Sequence, residues 1–190
     1  VAVYEQELEI NPSRRTYIIT PQLERVVDPF PPELVQHVIT DIALETREEG
    51  VNIHFNEPDL IVERSRLRKK LAEKARKAGV EFFFGWEFVG FQGRSGNMNL
   101  VFEAEDGQKG IVHSDVVIGA DGVNSRVARA AKISLPPAVP LLQAEVPLPR
   151  RWNRGQAKVW FDVIDTRYFY WLIPESESRG VVGLIGEPEN

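Results

Sequence analysis

Asp121-Gly122 is the dipeptide of this sequence best placed to touch a ligand. It closes the run Asp115-Val116-Val117-Ile118-Gly119-Ala120-Asp121-Gly122, and Val123-Asn124-Ser125-Arg126-Val127-Ala128-Arg129 follows. A wholly apolar strand ending in small residues lets a nucleotide approach the main chain, and the carboxylate of Asp121 can accept hydrogen bonds from a hydroxyl or from turn amides. A helix from about Asn124 to Lys132 would point free N–H groups at any phosphate nearby. On residue types alone, an aspartate that merely caps the helix explains this turn equally well. The run Val1-Ala2-Val3-Tyr4-Glu5 has a related pattern, that of a buried parallel strand whose last residue reaches a ligand edge.

Residue counts remove several other chemistries. The chain of 190 residues has no Cys, which excludes thiol catalysis, disulfides, Fe–S clusters and Cys-based zinc sites. Its three His, at 37, 54 and 113, are too scattered for a local metal motif, so no metal is expected. A net charge of −5, from 23 basic and 28 acidic residues, argues against nucleic acid as a partner. No apolar run approaches the roughly 18 residues of a membrane span, and no basic-then-apolar signal peptide is present. There is no nucleophile elbow, no His with an evident partner and no placeable carboxylate pair. At 43% apolar and 27% charged the composition is that of a globular chain. The one Met is Met98 and the first residues enter a strand directly, so we expect the sequence to be an internal piece of a longer protein.

The elements that must position these residues vary in clarity. Prolines at 12, 21, 29, 31, 32 and 58 break every period between residues 6 and 60. This stretch reads as loop-rich, with a helix over 32–39 and strand-like pieces near 17–20 and 51–55. Ser65 is expected to N-cap a helix ending at Gly79, with Leu67, Leu71, Ala72, Ala75 and Ala78 on its apolar face. Strands are expected at 80–84, 86–91, 100–105 and 111–113, with turns at 92–97 and Asp106-Gly107, giving a helix, a strand and a small antiparallel meander. A further apolar strand is expected at Asp115–Gly119. Prolines 136, 137, 140, 147 and 149 read as a linker before alternating strands at 157–162, 168–173 and 181–185. The glycine series 90–96 and 180–186 are spaced G-x-x-G-x-x-G and read as turn glycines.

The motif around Gly119-Ala120-Asp121-Gly122-Val123-Asn124-Ser125 resembles the internal fingerprint of the FAD-dependent oxidoreductases of the geranylgeranyl reductase and aromatic-ring hydroxylase superfamily. By that resemblance Ala120, Asp121 and Gly122 lie near the dinucleotide, with Ser125 and Arg126 opening the helix. Ile61-Val62-Glu63-Arg64-Ser65-Arg66-Leu67 resembles the family's strand-Arg-helix segment, which implies that Arg64 helps hold the FAD phosphates and ribityl chain; a guanidinium supplies a permanently charged planar fork for them. Glu5 then becomes the carboxylate for the adenosine ribose. The resemblance aligns Phe88 with a residue that meets adenine through main-chain groups.

On the substrate side, Phe169-Tyr170-Trp171-Leu172-Ile173-Pro174 resembles the aromatic strand that lines the polyprenyl cavity of the reductases. Phe169, Trp171 and Ile173 share one face of it. The reductases' Cys-bearing glycine motif would fall near Asn11–Thr20, which holds neither Cys nor Gly.

The fold class implied is α/β: a partial Rossmann-like FAD/NAD(P)-binding domain over 1–133, with the loop-rich insertion at 6–60, plus part of an antiparallel substrate-binding sheet over 134–190. The activity implied is FAD-dependent oxidoreduction, with the flavin carrying the electrons and NAD(P)H as donor. Its first form is reduction of a prenyl or other apolar substrate. Hydroxylation of an aromatic or quinone ring is a second form, and a lipid-binding or interaction module without chemistry is a third reading. The expected setting is cytoplasmic with peripheral membrane contact, and the 190 residues alone are expected to bind FAD poorly.

Overall fold

The structure, a computed structural model, describes every residue except 14, 28, 29, 95, 96 and 187–190. Among the described residues the strands are β1 (Ala2–Glu5), β2 (Thr16–Ile19), β3 (Val35–Glu45), β4 (Gly50–Glu63), β5 (Glu81–Phe84), β6 (Trp86–Arg94), β7 (Asn97–Ala104), β8 (Lys109–His113), β9 (Leu141–Pro147), β10 (Gln156–Trp160), β11 (Tyr170–Pro174) and β12 (Arg179–Ile185). The helices are α1 (Pro21–Val26), α2 (Arg64–Lys77) and α3 (Arg126–Ala130), with one 3-10 turn at Pro32–Leu34. The class is mixed α/β, as expected. By contacts the chain divides into two units, Val1–Asn11 with Lys69–Ala138, and Pro12–Arg68 with Val139–Asn190.

In the first unit β1 pairs with β5 in parallel, Glu5 opposite Phe84. Helix α2 leads into β5 through a Schellman motif: Val80 N–H donates to the Ala75 carbonyl at 3.0 Å, and Gly79 N–H to that of Arg76 at 2.9 Å. Gly79 takes φ +87°, a conformation that few other residues tolerate. Strands β6, β7 and β8 form the expected antiparallel meander. Its turn at 92–97 lies partly outside the described residues. Tyr4 stacks on Phe83 at 4.8 Å and on Phe102 at 4.0 Å, tying the parallel pair to the meander.

The expected strand at Asp115–Gly119 is not a strand. No described strand runs beside it to complete a ladder, and Val116 and Ile118 are 74% and 85% exposed.

The second unit is a seven-stranded sheet in the order β2-β4-β3-β10-β11-β12-β9, antiparallel except where β3 and β10 run parallel. This corrects the reading of residues 6–60 as a loop-rich insertion in the nucleotide-binding half, because the long strands β3 and β4 are interior strands of the sheet built with residues 139 onward. The expected helix over 32–39 stops after its 3-10 turn. The β-branched residues Val35, Val38, Ile39 and Thr40 take the strand instead.

Pro58 misled for a local reason. The register jumps from Ile39–Asp59 to Asp41–His54, so residues 55–58 oppose a single residue, and a proline without an N–H fits this bulge. Part of the expected linker is also ordered, since β9 pairs with β12 at the sheet edge.

The core of this unit lies on both sides of β4. Consecutive Ile61 and Val62, both 0% exposed, point to opposite faces. Val62 joins Ile19, Leu34 and Leu67 in one cluster, and Ile61 joins Ile39 and Ala157 in another. Burial of each such side chain contributes about 1.5–3 kcal/mol. The glycines of β12 make room for neighbours rather than turning the chain. A Cβ on Gly183 would lie 2.2 Å from the Trp171 ring, and one on Gly180 would lie 2.8 Å from Leu148.

Candidate functional site

The turn after residue 119 is organised by its own side chains. The Asp121 carboxylate accepts from the Ser125 hydroxyl, from Arg126 N–H at 2.6 Å and from Val127 N–H at 3.1 Å. Ser125 Oγ in turn accepts from Ala128 N–H at 3.0 Å. Helix α3 therefore begins at Arg126 rather than Asn124, and its first three amides are occupied, so they are not free to meet a phosphate. Burial pushes the Asp121 carboxyl up. The Ser125 hydroxyl and the backbone amides outweigh that and hold it below the usual carboxylate range.

Gly122 adopts φ +84°, and nothing lies within 4 Å of where a Cβ would stand. The turn thus presents bare backbone with open space beside it, which is what close approach of a ligand requires. Ala120 is exposed at its edge. The Arg126 guanidinium pairs with Glu87 of β6 at 2.8 Å.

Glu5, at the end of β1, is partly buried, and its Oε1 accepts from Glu7 N–H at 3.1 Å. Phe88 packs edge-on against Phe91 and Phe102 with centroids 5.1 and 5.8 Å away, so its ring is part of the meander's apolar face. Its main chain lies next to the bulge between Phe88 and Gly90.

In the second unit, β4 runs directly into α2, making Arg64 the first helical residue. Glu63, not Ser65, caps the helix: its Oε1 accepts both the hydroxyl of Ser65 and its N–H, the latter at 2.8 Å. With no linker between strand and helix, Ser65 lies already inside the first turn and is buried. Burial raises the Glu63 carboxyl, but the Ser65 and Arg66 contacts outweigh it and lower it overall.

The Arg64 guanidinium lies 5.2 Å from the centre of the Tyr17 ring, and its buried Nε has no hydrogen-bond partner. A buried guanidinium N–H without an acceptor is costly, and an anionic oxygen would satisfy it.

Of the aromatic strand, Trp171 is buried over Gly183, Phe169 lies between Trp171 and Phe161, and Ile173 packs on the Ile39–Ile61–Ala157 cluster. These three side chains pack within the protein. A cavity of about 260 Å³ opens on the other face of β11, where Leu172 joins Trp152, Lys158, Trp160 and Phe161.

Sequence reasoning missed Tyr17 under Arg64, for which no local signal exists, and Glu63 as a cap, which the Glu-x-Ser spacing could have suggested. It also missed the contact between the Thr16 hydroxyl and Glu175, residues 159 positions apart.

The FAD binding domain model matches residues 26–180. The uncharacterized aromatic compound monooxygenase YhjG of Bacillus subtilis (strain 168) is 32% identical over 94 residues, which is 49% of this chain and 19% of that protein. Among solved structures, a geranylgeranyl bacteriochlorophyll reductase-like protein from Thermoplasma acidophilum superposes with a TM-score of 0.83 at 18% identity, over 98% of this chain and 50% of that one. A flavoprotein/dehydrogenase from Cytophaga hutchinsonii superposes with a TM-score of 0.74 at 16% identity, over 99% and 50%. The chain thus spans half the length of these structures and a fifth of the curated relative. With a family match over most of its length and the Asp121-Gly122 turn and Arg64 junction in place, the chain belongs to the FAD binding domain family.

Proposed function

We propose that this chain supplies cofactor- and substrate-binding parts of an FAD-dependent oxidoreductase that acts on an apolar substrate. The observation that carries the reading is the buried, unpartnered Nε of Arg64, a cation held by Tyr17 at a strand-helix junction with an acceptor still to be met. FAD fits it, because its phosphates offer the anionic oxygens that a guanidinium binds best. When bound, the flavin supplies the electron transfer, and the protein's task is binding and orientation.

In this reading Arg64 holds phosphate oxygens, Glu5 accepts from the adenosine ribose and the main chain at Phe88 meets adenine. The Ala120-Asp121-Gly122 turn lets the dinucleotide approach bare backbone. Asp121 acts there chiefly by positioning, since its oxygens already hold the turn together, with Ser125 and Arg126 completing that frame. Phe169, Trp171 and Ile173 back the substrate side from within the sheet, and NAD(P)H is the electron donor. Reduction of a prenyl or similar double bond is the first choice, supported by the likeness in fold to a reductase-like protein. Hydroxylation of an aromatic ring is the second, supported by the match to an aromatic compound monooxygenase.

The test is FAD titration of the gene product that carries this chain, followed by flavin fluorescence. Arg64→Ala should weaken FAD binding by about ten- to a hundredfold, the range for a hydrogen bond to a charged group, with little change in melting temperature. Unchanged affinity would remove the assignment of Arg64, and a protein that stays colourless with FAD would remove the enzyme. Hydroxylated product coupled to NADPH oxidation selects the monooxygenase; anaerobic saturation of a prenyl chain selects the reductase.

A further inference from the structure

Helix α2 concentrates positive charge in a chain that is net negative: the segment RSRLRKKLAEKARK holds eight basic residues and one acid. Lys69, Lys70, Lys74 and Lys77 are all exposed, and at 3.6 residues per turn they fall within an arc of about 140° along about 12 Å of helix. Glu73, the one acid among them, lies 3.7 Å from Lys70. Lys69 and Lys77 have no partner among the described residues. The helix is anchored away from the arc by buried Ala72 and at its flank by Arg76, which turns over the Phe82 and Phe84 rings at 4.8 and 5.8 Å. The lysines therefore stand on a helix whose orientation within its unit is fixed.

We propose that this lysine face docks the protein on the anionic surface of a lipid bilayer. A cationic face on a helix matches an extended layer of negative charge. Each lysine near such a surface strengthens binding roughly fivefold, and the attraction fades within a Debye length. Leu71, 40% exposed at the rim of the arc, can enter the headgroup level. The choice of a bilayer over an acidic protein rests on the reading that the substrate is apolar, since such a molecule is met in membranes.

The test is cosedimentation of the purified protein with vesicles of phosphatidylcholine alone or with one third phosphatidylglycerol, at low and high salt. The expected result is binding to the anionic vesicles only and release by salt. Lys69→Gln and Lys77→Gln should each weaken it roughly fivefold and the double variant roughly 25-fold, with circular dichroism unchanged. Arg151→Gln, a change in an exposed loop cation, should leave it as it was.

Absence of binding by the unaltered protein, or binding that survives the double variant, overturns the proposal. So does tighter binding to polyglutamate than to the vesicles, which would indicate an acidic protein partner. Vesicle binding needs no flavin, so a colourless protein that docks through these lysines would sink the enzyme reading and uphold this one. A flavin-loaded, active protein that ignores vesicles would do the reverse.

Discussion

The Asp121 turn and the β11–β12 hairpin are both tightly determined, but over very different distances along the chain. The hydrogen bonds that frame Asp121 fall within six residues: Ser125, Arg126 and Val127 bond the aspartate, and Ala128 bonds Ser125, while the exposed Arg126–Glu87 pair alone reaches further. At the hairpin, Trp171 requires the absence of a side chain at Gly183, Ile173 packs on Ile39 and Ile61, and Glu175 meets Thr16. The first region is a short-range device that a motif can encode. The second exists only once distant strands have met, and its tolerance for change should be correspondingly narrower.

The largest expected effect breaks the second region. Gly183→Ala places a methyl against the Trp171 ring and 2.8 Å from the Leu142 carbonyl, and should cost about 3 kcal/mol in urea denaturation. A Trp171→Leu change in the same protein should recover part of that loss. Additive losses would mean that the two residues do not share one space.

Breaking the first region should cost less. Asp121→Ala removes a cap that satisfies two helix amides, and about 1–2 kcal/mol is expected. If the turn is the local device described, the loss should be largely independent of Gly183→Ala.

The two regions should also respond to acid with opposite sign. The Asp121 carboxyl is held below its ordinary value, so its contribution is present at neutral pH and is lost as pH falls through and below the ordinary carboxylate range. Glu175 is pushed up, by burial first and by the nearby Glu145, against the Thr16 hydroxyl and Arg179. Its ionised form therefore costs stability at neutral pH, and that cost is relieved as pH falls. Glu175→Gln should gain more stability at pH near 7 than near 4, and Asp121→Asn should flatten the loss in acid. Denaturation curves across this range would show both, and a parallel response of the two variants would contradict the contrast.

The smallest effect is expected from Arg126→Ala. Its pair with Glu87 is half exposed, and less than about 1 kcal/mol should be lost.

What was legible in the sequence follows the same division. The helix ending at Gly79, the meander of β6–β8, the parallel strand ending in Glu5 and the turn at Asp121-Gly122 were all readable, because periodicity and turn chemistry act over a few residues. Residues 6–60 were misread because Pro58 and the acids beside it look like a loop until β3 supplies a bulge to hold them. The glycines of β12 were read as turns because nothing near them in sequence announces the Trp171 ring.

By itself, then, the sequence determined the local frames: a capped turn with open backbone at Gly122, a basic helix with a glycine stop, and strands of the right period. Only the tertiary structure decided which strands share a sheet, which aromatic faces are buried, and that Arg64 keeps a buried N–H without a partner. Those outcomes depend on contacts between different elements, from a dozen positions apart for Trp171 and Gly183 to more than a hundred for β3 and β10, and no pattern within one element specifies them.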